Sequence, residues 1–274
     1  MNRFEDTFAQ PSKLALIGFP YDENSSFMKG AADAPPQIRA AFRSDASNFW
    51  SEAGVDLGAE GTFFDAGDVE PVAGTKMSSL IEDSVRTLLT DSLAPVCLGG
   101  DQSITYTIIR AVSKKYPDLS ILHFDAHPDL YDELLGNRHS HASPFARIME
   151  EGLAKRLVQV GIRAVNGHQR EQAERFGVEI IEMRHWRDDL AFDFDSPLYI
   201  SFDMDALDPA FAPGVSHREP GGLSTRQAIA LIQRLKAKVI TADIVEFNPR
   251  MDPFQTTAVV CAKLLKEIAA KMLE

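Results

Sequence analysis

Three short stretches of the chain gather side chains suited to holding cations: Asp101-Gln102-Ser103 after LGG, His123-Phe124-Asp125-Ala126-His127-Pro128-Asp129, and Ser201-Phe202-Asp203-Met204-Asp205-Ala206-Leu207-Asp208. A single aspartate after a strand is an ordinary cap or turn former. Here the acids alternate. In an extended segment residues i, i+2 and i+4 share one face, which aims Asp125, His127 and Asp129 the same way, and likewise Asp203 and Asp205. Four carboxylates and an imidazole converging at one place repel one another unless a cation sits among them. The donor set is hard and oxygen-rich, which favours Mn²⁺ over a structural zinc, and it carries enough charge for two divalent ions. A two-metal centre activates water and stabilises charge in an addition intermediate, so hydrolysis needs no nucleophilic Ser or Cys.

The elements that must position these groups are legible as period and composition. Short apolar runs at 14–19 (LALIGF), 95–100 (PVCLGG), 119–124 (LSILHF), 157–162 (LVQVGI), 197–202 (PLYISF) and 238–245 (KVITADIV) read as strands covered on both faces. Amphipathic stretches lie at 35–44, 76–93, 103–115, 144–153, 168–176, 225–237 and 256–273, with helix N-caps expected at Ser224-Thr225 and at Thr256. Strand–helix alternation implies a three-layer α/β/α fold with a mostly parallel sheet, read as a single domain over 1–274. The segments 45–68 and 205–222 read as long connecting loops of the kind that build sites at carboxyl strand ends.

Composition sets the outer limits. The 274 residues are 45% hydrophobic and 25% charged, with 28 Lys+Arg against 40 Asp+Glu and a formal net charge of −12. That balance argues against nucleic acid and anionic membrane as partners. No apolar run approaches the ~18 residues of a membrane span. The opening stretch, with Glu5 and Asp6, lacks the apolar core of a leader peptide, and Cys97 and Cys261 make no disulfide framework, so a cytoplasmic protein is expected.

Taken together, GGDQS, HFDAHPD and SFDMDALDPAFAPG resemble the motifs of the ureohydrolase family of arginases and agmatinases. NSSFMKGAADAPPQIR, GNRHSHASPFARIME, APGVSHREPGGLS and DIVEFNP extend the resemblance from about residue 14 to the C-terminus, with closest similarity to the plant-type branch. The resemblance implies an arginase-like fold, two Mn²⁺ per chain, a homotrimer or homohexamer, and a small guanidino substrate, agmatine or arginine. It implies that Asp125 and Asp203 bridge the ions, that His127 and Asp205 complete one, and that Asp129 belongs to the other with the residue at position 102. The family carries histidine there, and this chain carries Gln102. A glutamine offers a neutral amide oxygen in place of imidazole, so a loosened ion or single occupancy is expected.

By the same resemblance, metal-bound hydroxide attacks the guanidinium carbon, giving urea and an amine. Glu246 grips the guanidinium, and Asp205 and His141 are candidates for moving the proton. Asn137, Arg138, Ser140 and Ser143 are available donors for a substrate α-carboxylate, while Asp132 and Glu133 in the same loop oppose one. That balance tips the expectation slightly toward agmatine. Asn137, Ser140, His141 and Glu246 form the expected substrate-binding set.

Other polar residues read as supporting: Asp101 orients a neighbour, Asp208 forms a turn before Pro209, and Gly221-Gly222 is a loop hinge. His123 reads as a buried, hydrogen-bonded histidine, and His139 and His217 as loop residues that could line the pocket. Two further readings stay open: a hydrolase of another guanidino or formimino acid, and a metal-impaired, non-catalytic paralogue acting as a binding subunit, for which Gln102 is the only support.

Overall fold

In a computed structural model, residues 13–274 are described, and the opening stretch that bears on a leader peptide lies outside the described residues. Eight strands form one sheet: β1 Leu14–Gly18, β2 Phe63–Asp68, β3 Ala94–Leu98, β4 Ser120–Phe124, β5 Arg156–Ile162, β6 Glu179–Glu182, β7 Leu198–Asp203 and β8 Val239–Val245. Their order is β2-β1-β3-β8-β7-β4-β5-β6, and every neighbouring pair is parallel. The helices are α1 Ala34–Phe42, α2 Met77–Thr90, α3 Ser103–Lys115, α4 Pro144–Glu150, α5 Gly167–Phe176, α6 Thr225–Arg234 and α7 Thr256–Leu273.

Period-2 alternation divides the core between the two faces of the sheet. Leu14, Leu16, Val96, Leu98, Leu122, Phe124, Ile200 and Phe202 pack with side chains of α1, α6 and α7. Ala15, Ile17, Cys97, Ile121, Leu157 and Tyr199 pack with side chains of α2, α3, α4 and α5. Because both faces are covered, the inner strands carry almost no exposed side chains, which is why they read as continuous apolar runs. The three-layer α/β/α expectation holds.

Three expectations need correction. Strand β2 falls inside the segment read as a loop over 45–68, and β6 falls where no strand was expected. Both lie at sheet edges with one face partly exposed, so their sequences, FFDAGD and EIIE, lack the apolar continuity of the inner strands. The third concerns α7. Ser224 forms a full capping box with Gln227 at the start of α6, as expected, but the first N–H groups of α7 at Thr257 and Ala258 are accepted by Asp252, five and six residues upstream.

Candidate metal centre

The carboxyl ends of β3, β8, β7 and β4, the four central strands, deliver the polar side chains to one edge of the sheet. Ligands in open α/β sheets bind at this edge. Beyond β3 lie Asp101 and Gln102; β4 is followed by Asp125, His127 and Asp129; β7 ends in Asp203 and leads to Asp205; β8 is followed by Glu246. Asp129 and Glu246 have φ of 50° and 61°. The left-handed region strains a non-glycine residue, and the surrounding structure must over-determine it. At Glu246 the anchor is visible: its N–H donates to Gly100 O at 2.8 Å, while its Oε1 accepts from Gln102 N at 2.9 Å. The ends of β3 and β8 are thereby clasped twice.

Backbone donors turn three of the four acids of the cluster. Asp125 Oδ1 accepts from His127 N at 2.6 Å, Asp205 Oδ1 from Ala126 N at 3.0 Å, and Asp203 Oδ1 from Asp205 N at 2.7 Å. His127 Nδ1 lies 3.1 Å from Asp205 Oδ2 and 3.4 Å from Asp125 Oδ1. Among the described residues two groups have ligand atoms all within 4.8 Å of one another: Asp125, His127 and Asp205, and His123, Asp125 and Asp129.

The electrostatics are those of crowded negative charge. Burial, and then the neighbouring Asp125 or Asp205 carboxylates, push Asp129 and Asp203 well above the usual carboxylate range. Burial likewise lifts Asp101 to about 7, with the Glu246 charge adding to it. Burial works against charge on His127, but the Asp205 and Asp125 carboxylates outweigh it and hold the imidazole at about 12. His127 is thus the countercharge the chain itself supplies.

Whether divalent ions suit this place is tested by the atoms left over. Among the described residues Gln102 Oε1 is buried without a hydrogen-bond partner. Buried polar groups are normally satisfied, so an unpartnered acceptor beside crowded carboxylates marks a place that a cation completes. The residues fit Mn²⁺.

A cleft of about 450 Å³ opens over the cluster, lined by His127, Asp129, Asp203, Asp205, His141, His217 and Glu246 among others. His141 Nδ1 lies 2.9 Å from Glu246 Oε1, and its Nε2 lies 2.8 Å from Ser26 Oγ. Burial lowers the His141 pKa, but the Glu246 charge and hydrogen bond leave it raised overall, and His141 in turn draws Glu246 down against burial.

The other predicted residues distribute unevenly. His217 lines the cleft with its ring centroid 5.3 Å from that of His141, whereas His139 stacks on Tyr106 at 5.9 Å in an adjacent cavity. Asn137 and Ser140 line that adjacent cavity too and are not brought to the lining of the acidic cleft. Asn137 Nδ2 donates to Asn24 Oδ1 at 3.0 Å. His123 is buried as expected, with Nδ1 3.1 Å from Gln159 Nε2. Asp101 accepts from Asn24 N and Ser103 N, the supporting role expected of it, and Asp208 accepts from Ala210, Gly221 and Gly222 in a turn.

Sequence reading missed two residues. Ser26 touches His141, and its only signal is membership of the NSSFMKG stretch. Arg163 holds the carbonyls of Asp205, Leu207 and Glu219 together beneath the cleft. A cation directly after a strand end was its signal.

Comparison with known proteins agrees with this geometry. Residues 12–270 match the Arginase family. The chain is 47% identical to arginase 1, mitochondrial, of Arabidopsis thaliana over 95% of its own length and 81% of that protein's. It is 35% identical to the mitochondrial agmatinase of Gallus gallus, over 96% of its own length and 82% of the relative's. The solved structure of arginase from Medicago truncatula superposes with a TM-score of 0.90 at 43% identity, covering 96% of this chain and 88% of that one. A fold, a cluster of acids at one sheet edge and a match along nearly the whole chain converge on one conclusion: the chain belongs to the arginase (ureohydrolase) family.

Proposed function

We propose that the protein hydrolyses a guanidino compound to urea and an amine with two Mn²⁺ held by Asp125, Asp203, Asp205, His127, Asp129 and Gln102. The observation that carries this reading is the convergence of four carboxylates and His127 beneath the same cleft that Glu246 and His141 face. When bound, the ions lower the pKa of a water molecule toward neutrality and stabilise developing negative charge. Glu246 is the group that grips the guanidinium. Its Oε1 is fixed by Gln102 N and His141, while Oε2 makes no hydrogen bond among the described residues and is the atom left for a planar cation. His141, partnered by Glu246 and Ser26 at the cleft wall, carries the proton to the departing amine, with Asp205 as the second carrier.

Arginine stands ahead of agmatine. Asp132, which argued against an α-carboxylate, is paired with Arg138 of the same loop and Arg147 of α4, so its charge is offset. The plant arginases this chain resembles at 44–47% identity support the same order against 35% for the avian agmatinase. The test is product release by Mn²⁺-loaded protein: urea from arginine and agmatine, and formamide from a formimino acid. Urea from arginine first is expected; faster release from agmatine reverses the order. No urea from arginine or agmatine and no formamide from the formimino acid, with Gln102→His also inactive, would leave the non-catalytic paralogue standing.

The proposal includes assembly and place. A trimer or hexamer is expected in solution, read by light scattering as three or six times the 30.3 kDa chain mass. The cytoplasm is the proposed compartment, consistent with Cys97 and Cys261, both buried free thiols. Recovery with an organelle fraction, as the name of the Arabidopsis relative suggests for that protein, overturns it.

A further inference from the structure

Gln102 is buried completely, and its neighbours decide which way its amide faces. Its Nε2 lies 2.8 Å from Thr105 Oγ1 and 2.9 Å from Ser201 Oγ. Each of those hydroxyls has a single proton and donates it to the same carboxylate: Thr105 to Asp243 Oδ2 at 2.6 Å, Ser201 to Asp243 Oδ1 at 2.8 Å. Tyr199 donates to Asp243 Oδ2 as well, at 2.6 Å. A hydroxyl that has given up its proton can only accept from its next neighbour, and of an amide's two ends only the NH₂ donates. The amide nitrogen is therefore committed to Thr105 and Ser201. The oxygen is turned away from them and stays buried with no donor.

The nearby imidazole cannot take the place of the missing histidine. Gln159 Nε2 donates to Pro128 O at 2.7 Å, which fixes that amide, and the same nitrogen lies 3.1 Å from His123 Nδ1. The other ring nitrogen, Nε2, lies 2.9 Å from Asp125 Oδ2, so both nitrogens face a neighbour within the fold. His123, with both nitrogens taken up by Gln159 and Asp125, supports Asp125 from behind. Only oxygens remain for the ion beside Asp129, while the other ion has His127.

Resting on the two-ion reading above, we propose that Gln102 Oε1, aimed by the Asp243–Thr105–Ser201 network, is a ligand of the ion beside Asp129, making that position all-oxygen and less favourable to Zn²⁺, relative to Mn²⁺ and Mg²⁺, than an imidazole-bearing position would be. Imidazole and softer donors favour Zn²⁺, whereas carboxylate and carbonyl oxygens favour Mg²⁺ and Mn²⁺. Thr105, Ser201 and Asp243 are positioning residues, acting on the ion through the amide.

The experiment uses the full chain, stripped with a chelator and reloaded by equilibrium dialysis against Mn²⁺, Mg²⁺ or Zn²⁺. Ions per chain are counted, and the electron paramagnetic resonance spectrum of the Mn²⁺ form separates a coupled pair from a lone ion. Wild type is expected to hold a coupled Mn²⁺ pair, and Gln102→Leu a lone ion. Gln102→His should raise the ratio of Zn²⁺ to Mn²⁺ affinity at the second position by about tenfold or more. Thr105→Val combined with Ser201→Ala should weaken only the second ion by about 10–100-fold, a change that lost packing alone does not produce, and Thr105→Ser should leave it intact. The inference is overturned if Gln102→Leu holds the coupled pair as tightly as wild type, or if Gln102→His leaves the Zn²⁺ to Mn²⁺ ratio unchanged. One lone ion in wild type and Gln102→Leu alike also sinks it and removes the second ion from the functional reading, while guanidino hydrolysis itself is still decided by the urea assay. No ion in either position sinks both.

Discussion

The pairing of His141 with Glu246 places a titratable group and a substrate anchor on one hydrogen bond. Burial disfavours the imidazolium, yet the carboxylate 2.9 Å away lifts the His141 pKa above its ordinary value. Removing the carboxylate charge while keeping its shape should let burial win. In Glu246→Gln the His141 ring signals, followed by NMR in metal-free protein, are expected to titrate at lower pH than in wild type; an unchanged midpoint would show that Glu246 is not what lifts it. In Mn²⁺-loaded enzyme the same change removes the charged partner of the guanidinium and should lower kcat/KM by roughly 10²–10³-fold, comparable to losing one preorganised stabilising group. Residue types carried much of this in the sequence: Asp125, His127, Asp203, Asp205 and Glu246 are named by alternation and motif. What the sequence did not carry is orientation. Position 102 reads as glutamine, but the facing of its amide depends on three hydroxyls and a carboxylate drawn from α3, β7 and β8. Ser26 reaches His141 across 115 positions of chain, a distance no local pattern encodes.

At the scale of elements, strand ends bring the site together, and glycine permits their approach. A β-carbon on Gly100 would stand 1.8 Å from the Tyr21 carbonyl oxygen, a backbone atom that cannot swing away. The same carbonyl accepts from Asp101 N, and Gly100 O accepts from Glu246 N. Gly100→Ala should therefore disturb the ends of β3 and β8 together. Expected is a large loss of thermal stability with loss of metal binding, measured by calorimetry and by ion counting; a variant with wild-type Tm and full ion content would contradict the packing. A milder change tests a helix start: Ser224→Ala removes half of a capping box and should cost about 1 kcal/mol, or roughly 2–4 °C in Tm. The inner strands and all seven helices were readable because burial on both faces or on one helical stripe imposes a period. The edge strands β2 and β6 were not, since one-sided pairing relaxes it, and the cap of α7 comes from Asp252 beyond the local window.

For the whole molecule, charge and stability are one question. A formal charge of −12 is partly concentrated at one sheet edge, where two divalent ions would supply four positive charges and bring it to −8. Without them the folded chain relies on protons. The folded-state pKa of His127, lifted to about 12 against an ordinary 6.5, contributes stability that is fully present below the unfolded value and is lost as pH rises through 12. The raised carboxyls of Asp129 and Asp203 act in the same direction: as pH rises past their unfolded values, the stripped protein must ionise crowded acids or hold protons at a cost. Ions reverse the slope, since they bind the deprotonated ligands and release those protons. Each site filled at 100 times its Kd adds about 2.7 kcal/mol, so full loading should raise Tm by roughly 10–20 °C for a chain of this size. The gap between Mn²⁺-loaded and chelator-treated protein should widen from pH 6 to pH 9, measured as paired melting curves in a buffer series. A constant gap would show that the ions do not displace protons from this cluster, and coincident curves at every pH would show that they do not bind it.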